Sequence, residues 1–154
     1  MKILIISIDR GLLGTDQLGD VVLRHQKYGE FCDRLDIIVF SKRGFVKHKI
    51  SDKVTGYPTN SCCKLKYYHD AYRLGEKLFQ KNNYDLIITQ TPFVDGLVGR
   101  WLKKKFKAKL LIHYHGDFWH NQNWIRGSWY NQILNFLQKI VLKKADALRV
   151  MSEG

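Results

Sequence analysis

The chain has 154 residues, 45% hydrophobic and 13% aromatic, with 26 Lys and Arg against 14 Asp and Glu, a formal net charge of +12. That length suits a single domain, able to bury roughly 70% of its unfolded surface without a disulfide or structural metal, and the composition excludes a disordered or collagen-like chain. The charge points to an anionic counterpart: a phosphorylated substrate, an anionic membrane surface or nucleic acid.

The N-terminal run "KILIISI" (2–8) meets Asp9 and Arg10 too soon for a leader and reads as a strand buried on both faces. A glycine-bearing loop, "DRGLLGTDQLG", then leads to a predicted helix over about 18–32 and a strand at 35–40. The stretch 41–63 is irregular, with a weak strand expected near 54–59. Over 64–82, Leu65, Tyr68, Tyr72, Leu74 and Leu78 are spaced as one helical face. "YDLIITQ" (84–90) is a strand, and Thr91-Pro92 predicts a helix start with the threonine as cap. A strand at 108–115, a helix capped by Ser128 and a closing strand in "ADALRVMS" follow. Strand–helix alternation of this kind predicts an α/β fold: one Rossmann-like open parallel sheet over 1–154 with helices on both faces. Three cysteines, Cys32, Cys62 and Cys63, make no disulfide framework and fit a reducing compartment. With no apolar run long enough to span a bilayer, the expectation is a soluble, cytoplasmic protein.

In such sheets ligands sit outside the carboxyl ends of the strands. One rim therefore gathers the loop after Ile8, the Thr89–Thr91 turn and the "HYHGDFWH" segment. His113, His115 and Asp117 match five positions of the H-x-H-x-D-H signature of metallo-β-lactamase-like hydrolases, but Phe118 replaces the last histidine and the flanks are βαβ-like. His113, deeper in its strand, reads as a satisfied core histidine. His115 precedes Gly116 at the strand end, where it can donate to a sugar hydroxyl or a phosphate. "SIDRGLLG" lacks the glycines of a dinucleotide fingerprint and the second strand ends without an acid, so no nicotinamide cofactor is expected. A strand–glycine–helix turn still offers backbone N–H groups to a phosphate.

Two basic stretches stand apart. Lys42, Arg43, Lys47 and Lys49 lie in one without any acid; Lys103, Lys104 and Lys105 lie in the other, beside Trp101 and Phe106. Basic residues beside apolar ones suit an anionic membrane surface, while lysines at a helix carboxyl end also simply complement its dipole. Nothing resembles a nucleic-acid-binding motif.

Taken together, "MKILIIS" with its glycine loop, "YDLIITQTPFVDGLVG", "KLLIHYHGDFW" and "ADALRVMSEG" resemble the N-terminal half of a GT-B fold glycosyltransferase of family 4. The resemblance implies a retaining transfer of sugar from a nucleotide donor, the acceptor bound mainly by this half and the donor by a second domain. It places Gly14 in the loop facing the donor diphosphate and His115 near the transferred sugar, with Gly116 and Asp117 assisting the acceptor. It implies no cofactor or metal, and frequent work at the inner membrane surface on glycan or lipid-linked acceptors. The family's Glu-x7-Glu pair belongs to the second half and is absent here, so the 154-residue chain alone is expected to be inactive. Two other classes remain open: a basic α/β module binding anionic lipid or nucleic acid, and a metal-dependent hydrolase using His113, His115, Asp117 and His120.

Overall fold

The computed structural model describes residues 1–14, 20–114 and 121–150. Its β-branched runs form a sheet of seven strands: β1 (Lys2–Ser7), β2 (Arg34–Val39), β3 (His48–Lys49), β4 (Val54–Pro58), β5 (Leu86–Thr89), β6 (Lys109–Tyr114) and β7 (Ala147–Val150). Their spatial order is β3-β4-β2-β1-β5-β6-β7. All neighbours pair in parallel except the short edge strand β3, which runs antiparallel to β4. The helices are α1 (Val21–Glu30), α2 (Tyr67–Asn82), α3 (Val94–Phe106), α4 (Gln122–Arg126) and α5 (Trp129–Leu142).

Alternation along the strands divides the core in two. Leu4, Ile6, Ile38, Ile87, Leu110 and Ile112 face α2, α3 and α5 through Ala71, Phe79, Val98, Leu102 and Val141. Ile5, Leu35, Ile37, Val39 and Val54 face α1 through Val21, together with Leu12 and Leu13 of the loop after β1. Chain handedness explains the division. From β1 the chain steps one way to β2, whereas the steps to β5, β6 and β7 run the other way, so right-handed crossovers put α1 on one face and α2, α3 and α5 on the opposite one. Helices thus lie on both faces, but unequally. A fully buried carboxylate, Asp36, accepts from Arg34 Nε (2.6 Å) and from the Tyr84 hydroxyl, tying β2 to the chain entering β5.

Several local expectations change. The buried face of α2 is Ala71, Gly75, Leu78 and Phe79; Leu65 precedes the helix and is 83% exposed, and Tyr68 is also exposed. α3 starts at Val94 with Phe93 at the cap position, later than expected; the Thr91 hydroxyl accepts from Phe93 N (3.3 Å) just ahead of it, while the Thr91 N–H and hydroxyl both donate to Asp95. Ser128 does cap α5, accepting from Tyr130 N, and Asn121 caps the unanticipated α4 by accepting from Trp124 N.

Gly56 of β4 shows how closely the loop after β1 lies on the sheet. A Cβ at Gly56 would sit 2.4 Å from the carbonyl oxygen of Leu12, a backbone atom that cannot swing away. Gly56→Ala is expected to cost about 1–3 kcal/mol by overpacking. Urea denaturation checks this; a loss no larger than at an exposed position would contradict it.

Candidate functional site

The chain leaves β1 toward one edge of the sheet and leaves β5 toward the other, so their carboxyl ends flank the point where the strand order reverses. In open α/β sheets this divergence creates a crevice for a ligand. Short polar contacts brace it. The Ile8 N–H donates to Gln90 Oε1 (3.1 Å), joining the two loops directly. Ser7 Oγ accepts from Asp9 N (3.0 Å), and Asp9 Oδ1 accepts from Gly11 N (3.0 Å), capping the single 3-10 turn Arg10–Leu13.

Gly14 closes that turn in the left-handed region, at φ +77°. A Cβ there would be strained by the backbone and would lie 3.1 Å from the ring of His48. The Gly14 N–H donates to Gly11 O (3.3 Å), while Leu12 and Leu13 are buried beneath it. The glycine therefore brings backbone close to the rim, though its own amide is engaged within the turn.

Across the crevice, Asp95 is buried on the first turn of α3, four residues after Thr91. Its Oδ2 accepts from Thr91 N (2.7 Å) and its Oδ1 from the Thr91 hydroxyl, while Thr89 Oγ1 donates to Thr91 O (3.2 Å). Burial lifts the Asp95 carboxyl from 3.8 to about 6, against the opposing pull of the Thr91 donors. Neither Asp95 nor Gln90 was singled out from sequence. The available signal was an acid four residues beyond a threonine at a helix start.

β6 delivers the third segment. Its last described residue, Tyr114, donates its hydroxyl to the buried Gln138 Oε1 of α5 (2.9 Å), which anchors the strand end. His115, Gly116, Asp117 and His120 lie outside the described residues. His113 corrects the sequence expectation of a core histidine. It is half-buried on the face that α1 leaves open, opposite Arg149 in the β6–β7 ladder. There it lines a cavity of about 350 Å³ with Ile88, Leu111, His25 and Arg149. His25, buried with Nδ1 2.7 Å from Val21 O, has its pKa lowered by desolvation. Among the described residues, no three His, Cys, Asp or Glu side chains are grouped to hold a metal ion.

The basic stretches differ in their contacts. Lys42, Arg43, Lys47 and Lys49 are exposed near the β3–β4 edge; Lys49 pairs with Asp52 (2.7 Å) and Lys47 lies over the Tyr57 ring at 4.9 Å. In α3, Lys103 pairs with Asp146 (2.6 Å) and donates to Lys144 O, and Lys105 pairs with Glu76. Lys104 is exposed. Among the described residues, no helix is long and apolar enough to cross a membrane.

The sheet order and its switch point define one Rossmann-like half of a GT-B fold. The same architecture occurs in the UDP-GlcNAc 2-epimerase from Methanocaldococcus jannaschii, which aligns over 99% of this chain with a TM-score of 0.58 and 13% identity. The chain spans about 40% of that structure. No curated protein matches the chain in sequence. The sequence model of Glycosyltransferase Family 4 matches residues 31–154, and the chain belongs to that family.

The raised Asp95 pKa has a sign that can be tested. The native state holds this proton up to about pH 6, while the unfolded chain releases it near 3.8. The unfolded state thus binds fewer protons between those values, and this group's contribution to stability falls as pH rises through that window, by roughly 2–4 kcal/mol in all. Asp95→Asn keeps an acceptor for Thr91 N and removes the titration. Urea denaturation between pH 4 and pH 8 is expected to show this loss in the native protein and a flatter profile in Asp95→Asn; parallel profiles would contradict it.

Proposed function

We propose that this chain is the acceptor-side domain of a retaining glycosyltransferase, which moves a sugar from a nucleotide-sugar donor to a glycan or lipid-linked acceptor. The observation that carries this reading is the family match over residues 31–154, which includes the loops at the carboxyl ends of β5 and β6. A second domain, outside these 154 residues, supplies most of the donor contacts. On this reading His115 acts on the transferred sugar, where an imidazole orients hydroxyls and offsets charge developing in the transition state. On the same reading Gly116 and Asp117 assist acceptor binding. Gly14 brings the loop after β1 within reach of the donor diphosphate. No cofactor is required beyond the donor itself.

The protein works in the cytoplasm and touches the inner face of the membrane through Lys42, Arg43, Lys47 and Lys49, joined by Lys104 from the α3 cluster. The excess of cations over anions supports that contact, since each exposed Lys or Arg contributes about 1 kcal/mol near an anionic leaflet. Lys103 and Lys105 contribute less because their charges are already paired.

Transfer from a panel of labelled nucleotide sugars into a glycan and lipid extract tests the reading. The full-length protein is expected to label one acceptor fraction, and His115→Ala to lower the rate about a hundredfold or more. The isolated 154-residue chain is expected to transfer nothing. An unimpaired His115→Ala enzyme would remove the histidine from the site, and robust transfer by the isolated chain would overturn the assignment of donor contacts to a second domain.

A further inference from the structure

A second cavity, of about 390 Å³, opens at the carboxyl end of β4, where Pro58 and Thr59 join its lining. Its charged walls are Arg43 on one side and Lys66, Asp70, Arg73 and Lys77 on the other. The last four follow one another at spacings of four, three and four residues, so they form a single stripe along α2 and the turn leading into it. Four cations thus surround one acid.

Four cations against one acid leave the cavity with an excess of positive charge. Arg73 and Lys77 are like charges at i and i+4, and Lys66 is a cation at the positive end of a 16-residue helix. Among the described residues none of the four cations forms an ion pair. Of the nearby acids, Glu76 pairs with Lys105, while Asp70 stands within the stripe between Lys66 and Arg73 and offsets one of the four cations. The facing wall is rigid. Asn60 accepts from Phe45 N (3.1 Å) and donates to Phe45 O (2.8 Å), while Thr59 Oγ1 accepts from Ser41 N (2.9 Å). Lys42 also bridges to Ser61, so Arg43 projects from a turn held at both sides.

We propose that this cavity is a phosphate-binding site. A phosphomonoester or phosphodiester matches it because two guanidinium forks and two ammonium groups line one cavity of about 390 Å³, sufficient for a phosphate on a sugar-sized group. On the acceptor-side reading above, on which this last identification rests, the phosphate belongs to the acceptor.

Cys62 is an exposed thiol lining the same cavity and provides a local reporter. In the full-length protein carrying Cys63→Ser, iodoacetamide labelling of Cys62 is followed by peptide mass spectrometry, with inorganic phosphate titrated against chloride at constant ionic strength. Phosphate is expected to slow labelling saturably. The double reversal Arg73→Glu, Lys77→Glu is expected to shift protection to about tenfold or more higher phosphate. The neutral pair Arg73→Gln, Lys77→Gln, less perturbing to the fold, is expected to shift it in the same direction by less. No protection beyond chloride, or equal protection in both double variants, would overturn the proposal.

Glucose 1-phosphate and phosphatidylglycerol vesicles replace inorganic phosphate in two further arms. Stronger protection by the first assigns a soluble phosphate, and by the second a lipid headgroup; protection by neither overturns the site. Protection by phosphate in a protein that transfers no sugar would retain the anion site and refute the acceptor reading alone.

Discussion

The parallel pairing of β1 with β5 is the constraint on which the rest of the molecule depends. Ile3 to Ile6 stand in register with Leu86 to Thr89, and Leu4, Ile6 and Ile87 are completely buried at the seam. β2 enters on one side of this pair and β6 on the other, so the connections part at its carboxyl end. This parting is a consequence of chain direction and handedness, not of any particular side chain. What side chains supply is its bracing: Gln90 spans from one loop to the other, and buried Asp95 fixes the turn after β5.

The same handedness makes the sheet asymmetric. α2, α3 and α5 cover one face along its length, whereas α1 lies over β2 and β4 on the other. Ile88, Leu111 and His113 are therefore only half-buried although they belong to central strands. A run such as "KLLIHY" looks the same in sequence whether its second face meets a helix or a cavity. That is why His113 reads as a core histidine until the placement of α1 is known.

The parts legible in the sequence were the short continuous apolar runs. "KILIIS", "LDIIV" and "LIIT" could hardly be anything other than interior parallel strands, and the alternation with helical segments carried the fold class. The Ser128 cap was legible because its chemistry is local. The face of α2 was legible in part: Leu78 is buried and Tyr72 and Leu74 pack against the core, but its centre is Ala71 and Gly75, and the glycine lets Leu102 of α3 approach closely. Thr91 was legible in part: its hydroxyl accepts from Phe93 N at the helix start, but its donation to the buried Asp95 shows only in the contacts. The basic cavity beside α2 joins Arg43 to residues 66–77, a juxtaposition that no single stretch of sequence shows. For the rim, the bracing residues Gln90 and Asp95 emerged only from their contacts.

The central claim is that this domain is one half of a two-domain sugar transferase, and the length of the native polypeptide tests it most directly. Intact mass spectrometry of the endogenous protein is expected to find a chain well beyond 154 residues, its additional sequence carrying a second α/β domain with a Glu-x7-Glu pair. A native chain ending at Gly154, with no donor-binding partner recovered alongside it, would contradict the account.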